Sequence, residues 1–192
     1  VAHFRHDSQD PTSLPLNGVN DIHQDRQGVM WFATWKGLLY LDPSTGSFVH
    51  LIHNPADPTS LVDNHVKMIV EDRAGDFWLG TEVGLDRLDL QTLRFEHFKP
   101  DAEVPGSLSS ANINTILEDR NGNVWVGTSD GLNLYHRANR RFTVYRNVPA
   151  DLDSLTNSII LSLYEDREGN LWIGTYGGGV NKLDRGSNKF PM

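Results

Sequence analysis

A chain of 192 residues, 38% hydrophobic and 22% charged with a net charge of −8, has the balance of an ordinary folded protein and not of a disordered segment. Its acidic residues are scattered through turns and no long basic patch is present, so nucleic acid is not an expected partner. The absence of cysteine excludes disulfides and thiolate chemistry, and no apolar run approaches the roughly 20 residues that span a bilayer, so this chain is expected to hold no membrane segment.

The chain starts at Val1, not at an initiator methionine, and is expected to have been cut from something longer. Its first apolar segment, AHFRH (2–6), resembles SFVHL (47–51), RFEHF (94–98) and RFTVY (141–145) further on. Then comes QDRQGVMWFAT (24–34), followed at a fixed interval by EDRAGDFWLGT (71–81), EDRNGNVWVGT (118–128) and EDREGNLWIGT (165–175). Trp31, Trp78, Trp125 and Trp172 are spaced 47 residues apart, as are Gly28, Gly75, Gly122 and Gly169, and the Ser-Leu pairs at Ser13, Ser60, Ser107 and Ser154. Three markers with one period define an architectural unit before they define an active site.

The third unit shows the contents most clearly: ANINTILED, a turn RNGN, VWVGT, a turn SDG, LNLYHR, a turn ANR, RFTVYR, then the polar link NVPADLDSLTNS. Short segments rich in Val, Ile, Leu, Phe, Tyr and Thr, bounded by Gly, Asn and Asp, read as strands joined by hairpins. Four such strands in one 47-residue unit predict an all-β protein, a β-propeller of four-stranded antiparallel blades. The four repeats span approximately 1–48, 49–95, 96–142 and 143–192 of a single partial ring.

Residue choices within the unit have structural readings. Asp72, Asp119 and Asp166 stand three residues before Gly75, Gly122 and Gly169, the placement of a turn whose carboxylate accepts local N–H groups while glycine takes a conformation other residues resist. On the next strand Trp78, Trp125 and Trp172 alternate with Gly80, Gly127 and Gly174, a large ring beside a point of close approach. Burying an indole is worth on the order of 4–6 kcal/mol before entropy. All four tryptophans of the series, Trp31 included, are therefore expected in seams between blades.

The pattern I.ED..GN.WIGT..GLN.LD, then F..Y, then P..SLS.N.I resembles the two-component regulator propeller repeat across essentially the whole chain. This resemblance implies a periplasmic sensor region of a bacterial hybrid histidine kinase or diguanylate cyclase receptor, without cofactor or enzymatic activity. The first copy departs most, with Gln24, Ala33 and Trp35 at positions held elsewhere by acidic, glycine and other residues.

Rival chemistries read less well. DRNGN (119–123) has the oxygen spacing that opens a calcium loop but lacks the closing bidentate glutamate, so no metal is expected. Glu71, Glu118 and Glu165 beside aspartates could suggest a glycosidase pair, yet they recur in every unit where a catalytic pair is normally unique. His3, His50 and His97 share one repeat position and are expected on exposed blade edges. Variation concentrates instead at the turn between the second and third strands and at the link before the first. There Trp35, Lys36, Glu82, Asp130 and Tyr176, with Asn64 and Asn157 from the link, form a candidate ligand-binding set, suited to a small molecule or an oligosaccharide. The alternatives are a protein-interaction scaffold and, third, a polysaccharide-acting enzyme. The resemblance implies rings of seven blades, which turn about 51° each, against about 90° for four and about 45° for eight. Further blades of a longer parent chain, or a homodimer of half-rings in which each copy lends its strand at 1–6 to the other's last blade, are therefore expected.

Overall fold

The computed structural model describes residues 3–187, 189 and 190, and among these there is no helix. Blade 1 is β1 (Val19–Gln24), β2 (Met30–Thr34), β3 (Gly37–Leu41) and β4 (Phe48–Leu51), and blade 2 is β5 (Met68–Glu71), β6 (Phe77–Gly80), β7 (Leu85–Asp89) and β8 (Arg94–Phe98). Blade 3 is β9 (Ile113–Glu118), β10 (Val124–Thr128), β11 (Gly131–His136) and β12 (Arg141–Tyr145); blade 4 is β13 (Ile160–Glu165), β14 (Leu171–Thr175) and β15 (Gly179–Leu183). Every sheet is an up-and-down meander in chain order. The chain divides into two compact units, residues 1–97 holding blades 1 and 2, and residues 98–192 holding blades 3 and 4.

The repeated phrase is explained by one carboxylate. In each blade the first turn's aspartate accepts backbone N–H bonds on Oδ1 from the residues two and four further on, and on Oδ2 an indole N–H from the tryptophan six further on. The indole bonds are Trp31 to Asp25 at 2.8 Å, Trp78 to Asp72 at 2.7 Å, Trp125 to Asp119 at 2.9 Å and Trp172 to Asp166 at 2.8 Å. Gly75, Gly122 and Gly169 close the turn at φ of 88°, 80° and 89°, in the left-handed region that side chains avoid. The Ser-Leu marker has its own role. Ser13, Ser60, Ser107 and Ser154 accept an N–H from six residues upstream and so close the link, while Leu14, Leu61, Leu108 and Leu155 are buried beneath it.

Strand alternation gives each blade two faces, a forward one bearing the tryptophan and a rear one. Trp31, Ala33 and Leu38, forward on blade 1, pack on Ile69, Phe77, Leu79 and Leu88, rear on blade 2, with the Trp31 and Phe77 rings 5.0 Å apart. In the second unit Trp125 and Leu132 pack likewise on Ile160, Leu171, Ile173 and Leu183. Gly127 permits this approach, since a Cβ there would meet Ile160 Cγ2 at 2.6 Å. Trp172, expected in a seam, is instead 37% exposed, against 2% for Trp125, whose ring is covered by the residues of blade 4.

The two chain ends also differ from the strand pattern expected of them. Residues 1 and 2 of the expected strand at 1–6 lie outside the described residues, and 3–6 form no strand; Phe4 meets Phe48 edge-on at 5.6 Å. On blade 4, Lys189 bridges Asp184 and the Phe190 N–H donates to the Asp153 carbonyl, the bond that Phe48, Phe95 and Phe142 make to Thr12, Thr59 and Gly106. Phe190 thus takes the outer-strand position of its own blade.

Candidate functional site

The hairpins between second and third strands are built alike. The hydroxyls of Thr34, Thr81, Thr128 and Thr175 donate to the carbonyls of Gly37, Gly84, Gly131 and Gly179 and so close each hairpin. The fourth hairpin is wider by one residue, with Gly177 and Gly179 at φ of 71° and 77°. The seven candidate binding residues fall into two groups, one in each unit.

In the first unit the group centres on Trp35, which is 60% exposed. Its indole N–H donates to Asn20 Oδ1 at 2.7 Å and its ring stacks on His65 with centroids 4.1 Å apart and planes inclined by 23°. Asn20 is itself anchored, since its amide donates to the Val66 carbonyl at 2.7 Å. Glu82 lies 3.5 Å from His65 Nδ1 and 3.9 Å from Lys67 Nζ, and Lys36 is exposed on the same hairpin as Trp35. Asn64 is engaged differently from expectation: its Oδ1 accepts the His53 N–H at 2.7 Å and holds the link closed, as Asn17 does for His6. The aromatic platform of Trp35, the Glu82 carboxylate and the Lys36 ammonium remain as the candidate set in this unit. Asn20, His65 and Lys67 were missed from sequence although the repeat signals them: the copies of Asn20 are Lys67, Asn114 and Leu161, and those of His65 are Gly18, Asn112 and Ile159.

In the second unit Asp130 is held by Arg146, whose Nη2 and Nε lie 3.1 and 3.2 Å from its Oδ2. Asn157 Oδ1 accepts the Ile159 N–H at 2.8 Å, a local turn bond, and Tyr176 is 65% exposed with its backbone N–H on the Ile159 carbonyl. Asn112 donates to the Ser129 hydroxyl at 2.9 Å. A cavity of about 470 Å³ in this unit is lined by Glu168, Gly169, Asn170, Lys182 and Asp184–Gly186, at the opposite end of the blade from the hairpins, and no candidate binding residue borders it.

The acidic pairs that resemble a glycosidase motif are engaged in seams. Arg26 reaches from blade 1 to Glu71 at 3.4 Å and to the carbonyls of Asp72 and Arg73, and Arg120 reaches from blade 3 to Glu165 at 3.3 Å and to the Asp166 carbonyl. Glu71 is further held by His23 at 3.1 Å, and Glu165 by Arg185 at 2.8 Å. Burial pushes the Asp119 carboxyl up, but bonds from Asn123, Trp125 and Arg185 outweigh it and hold the group down to about 2. Asn123 donates to this carboxylate through its amide nitrogen, so the turn is closed by donors and not arranged as a ring of oxygen ligands. The histidines expected on exposed edges are partly drawn inward: His50 bonds to the Ser13 carbonyl, and His97 sits 2.6 Å from the buried Asp86 and 2.9 Å from the Pro58 carbonyl.

The two component regulator propeller model matches residues 13–36, 60–83, 107–130 and 154–177, the stretch from link to hairpin in every blade. No curated protein matches the sequence. Among solved structures, the extracellular domain of a hybrid two component system from B. thetaiotaomicron aligns with a TM-score of 0.75 at 30% identity, over 98% of this chain and 23% of that one. The extracellular domain of a one component system from the same organism aligns at 0.70 and 26% identity, over 88% of this chain and 22% of that one. Virginiamycin B lyase from Staphylococcus aureus aligns at 0.63 but 13% identity, over 93% of this chain and 58% of that one, a likeness of fold alone. This chain spans less than a quarter of the length of the two receptor domains. No helix among the described residues is long and apolar enough to cross a membrane. With its matched repeats covering half the sequence, the chain belongs to the two component regulator propeller family.

Proposed function

We propose that this chain is a non-catalytic, ligand-sensing segment of the periplasmic part of a membrane-anchored two-component-type receptor, and that its ligand is an oligosaccharide. The observation that carries this reading is Trp35. Scaffold bonds repeat from blade to blade, whereas this indole stands exposed on a hairpin where the copies disagree, oriented by Asn20 and backed by His65. A pyranose stacks well on such an indole, and the Glu82 carboxylate and the Lys36 ammonium are suited to its hydroxyls. Engagement of Glu71 and Glu165 by arginines supports a non-catalytic role, because a carboxylate held in a seam is poorly placed to exchange protons with a substrate. Ligand binding would relay a signal only by favouring one receptor arrangement over another, by no more than the difference in affinity.

Calorimetric titration with a panel of glycan fragments tests this. The expected result is heat with at least one fragment, an affinity at least tenfold weaker in Trp35→Ala, and no fragment cleaved. Absence of heat across the panel, or binding unaffected by Trp35→Ala, would refute it; heat with a polypeptide instead would favour an interaction scaffold.

A further inference from the structure

One buried position changes its chemistry from blade to blade. Leu39, Asp86, Asn133 and Asn181 occupy the same place on β3, β7, β11 and β15, and all are buried. In blades 3 and 4 an amide serves there, Asn133 accepting the Ser109 N–H of the link at 2.9 Å and Asn181 the Thr156 N–H at 3.0 Å. In blade 1 the matching link residue is Pro15, which has no N–H to satisfy, and Leu39 fills the position. Blade 2 places a carboxylate there: Asp86 Oδ2 accepts the Val62 N–H at 2.7 Å, and its Oδ1 lies 2.6 Å from His97 Nδ1. His97 Nε2 in turn lies 2.9 Å from the Pro58 carbonyl. Both ring nitrogens thus face oxygen acceptors, and a neutral imidazole has one N–H for the two. A buried carboxylate also needs a compensating charge or proton. Opposite Asn133 the next strand carries Val144, so the amide needs no such partner.

We propose that Asp86 and His97 form a proton-binding pair that fastens the link of blade 2, and that they keep the shared proton above the pH at which a histidine ordinarily gives it up. With the proton bound, the ring donates to Asp86 and to the Pro58 carbonyl, so the link is held at Pro58 by β8 and at Val62 by β7. Without it, one N–H is left for two acceptors and one of these holds is lost. The His97 side chain is 25% exposed, so the proton exchanges with water. Charged groups on the surrounding elements have partners of their own: Glu96 of β8 with Arg87 of β7, Asp57 of the link with Thr59, and His53 of the link with the Leu61 carbonyl. On the face of blade 1 packed against blade 2, Asp21 accepts the Ile69 N–H and His23 bonds Glu71. Tyr40 on that face, Asp63 in the link, and Asp89 and Arg94 on β7 and β8 also ionise. Because the buried carboxylate favours the protonated ring, the pair's contribution is fully present below about 6.5, the ordinary histidine value, and is lost as pH rises through the higher value of the folded pair. The pair stands apart from the ligand reading, since neither residue is in the candidate binding set.

Histidine ring resonances followed by two-dimensional NMR as pH is raised from 5 to 10, with His97→Gln identifying the signal, should show His97 titrating at least one pH unit above about 6.5. This titration needs only the wild-type fold. The double variant Asp86→Asn with His97→Val rebuilds the pair that Asn133 and Val144 make in blade 3 and leaves every other ionisable group in place. Between pH 6 and 9 the wild-type unfolding equilibrium constant, from urea denaturation, should rise at least tenfold more than that of the double variant. Over the same range the Val62 amide should lose hydrogen-exchange protection relative to the amides of Ser109 and Thr156, whose acceptors do not titrate. A His97 signal titrating less than one pH unit above the ordinary value, or a double variant with the wild-type pH dependence, would overturn the proposal. Val62 protection that keeps pace with Ser109 and Thr156 would overturn the fastening of the link.

Discussion

The two units make the same seam from different side chains. In the first, Trp31 packs on the Phe77 ring and Glu71 is held by Arg26 together with His23; in the second, Trp125 packs in a cluster with aliphatic Leu171, and Glu165 is held by Arg120 together with Arg185. The position of His23 is taken by Leu117 in the second unit, and the glutamate's second partner, Arg185, comes from the following blade instead. What is common to both is the arginine that crosses from one turn to the next blade's glutamate. The two seams thus keep the crossing arginine, a buried apolar pair and the asparagine bond of Asn20 and Asn114 to the next blade's carbonyl, and they differ in the second partner of the glutamate. The hairpin face keeps no such set: Trp35 stacked on His65 in one unit has Ser129 bonded to Asn112 as its counterpart in the other.

Removing the apolar member of each seam gives the largest expected effect. Phe77→Ala should cost about 3–5 kcal/mol and Leu171→Ala about 2–5 kcal/mol by urea denaturation. A Phe77 value well below the Leu171 one would show that the first seam rests on polar bonds. Next, Asp119→Ala leaves the Trp125 indole N–H and two backbone N–H groups without their acceptor and should cost about 3 kcal/mol. Asp166→Ala should cost clearly less, because its indole partner already faces solvent.

The same carboxylate sets an acid limit. Asp119 is held down to about 2, below its ordinary value, so its contribution is fully present above the ordinary value near 4 and fades as pH falls toward 2. Wild type should therefore lose stability across that window, and Asp119→Asn should show a shallower acid slope in thermal melts. A smaller effect belongs to the crossing arginines. Arg26→Ala and Arg120→Ala should each cost up to about 1 kcal/mol, since both side chains are about half exposed. Smallest of all, Trp35→Ala should alter stability by no more than about 0.5 kcal/mol while weakening glycan binding at least tenfold. A larger loss would place this hairpin in the scaffold.

The strand pattern and the Asp-to-Gly turn were legible because each repeats and each has a local cause: alternation, a carboxylate within reach of its own backbone, a glycine at positive φ. The crossing from Arg26 to Glu71 was not, because the partners lie 45 residues apart and a strip of Glu-Asp-Arg reads equally well as surface charge or catalysis. Asn64 misled for a related reason. Its variation looked like recognition, but asparagine at 17 and 64 and serine at 158 all close the link with one side-chain oxygen, so different residues satisfy the same bond. Trp172 shows the converse: an identical residue in an identical turn is exposed because burial depends on the neighbouring blade and not on its own strand.

The five tryptophans allow the division between constant scaffold and variable face to be read in one spectrum. Indole N–H resonances recorded by two-dimensional NMR during titration with the binding glycan should show Trp35 shifting while Trp31, Trp78 and Trp125, each bonded to its turn aspartate, stay fixed. A Trp35 signal that stays still under saturation, or shifts no larger than those of the buried three, would contradict the account.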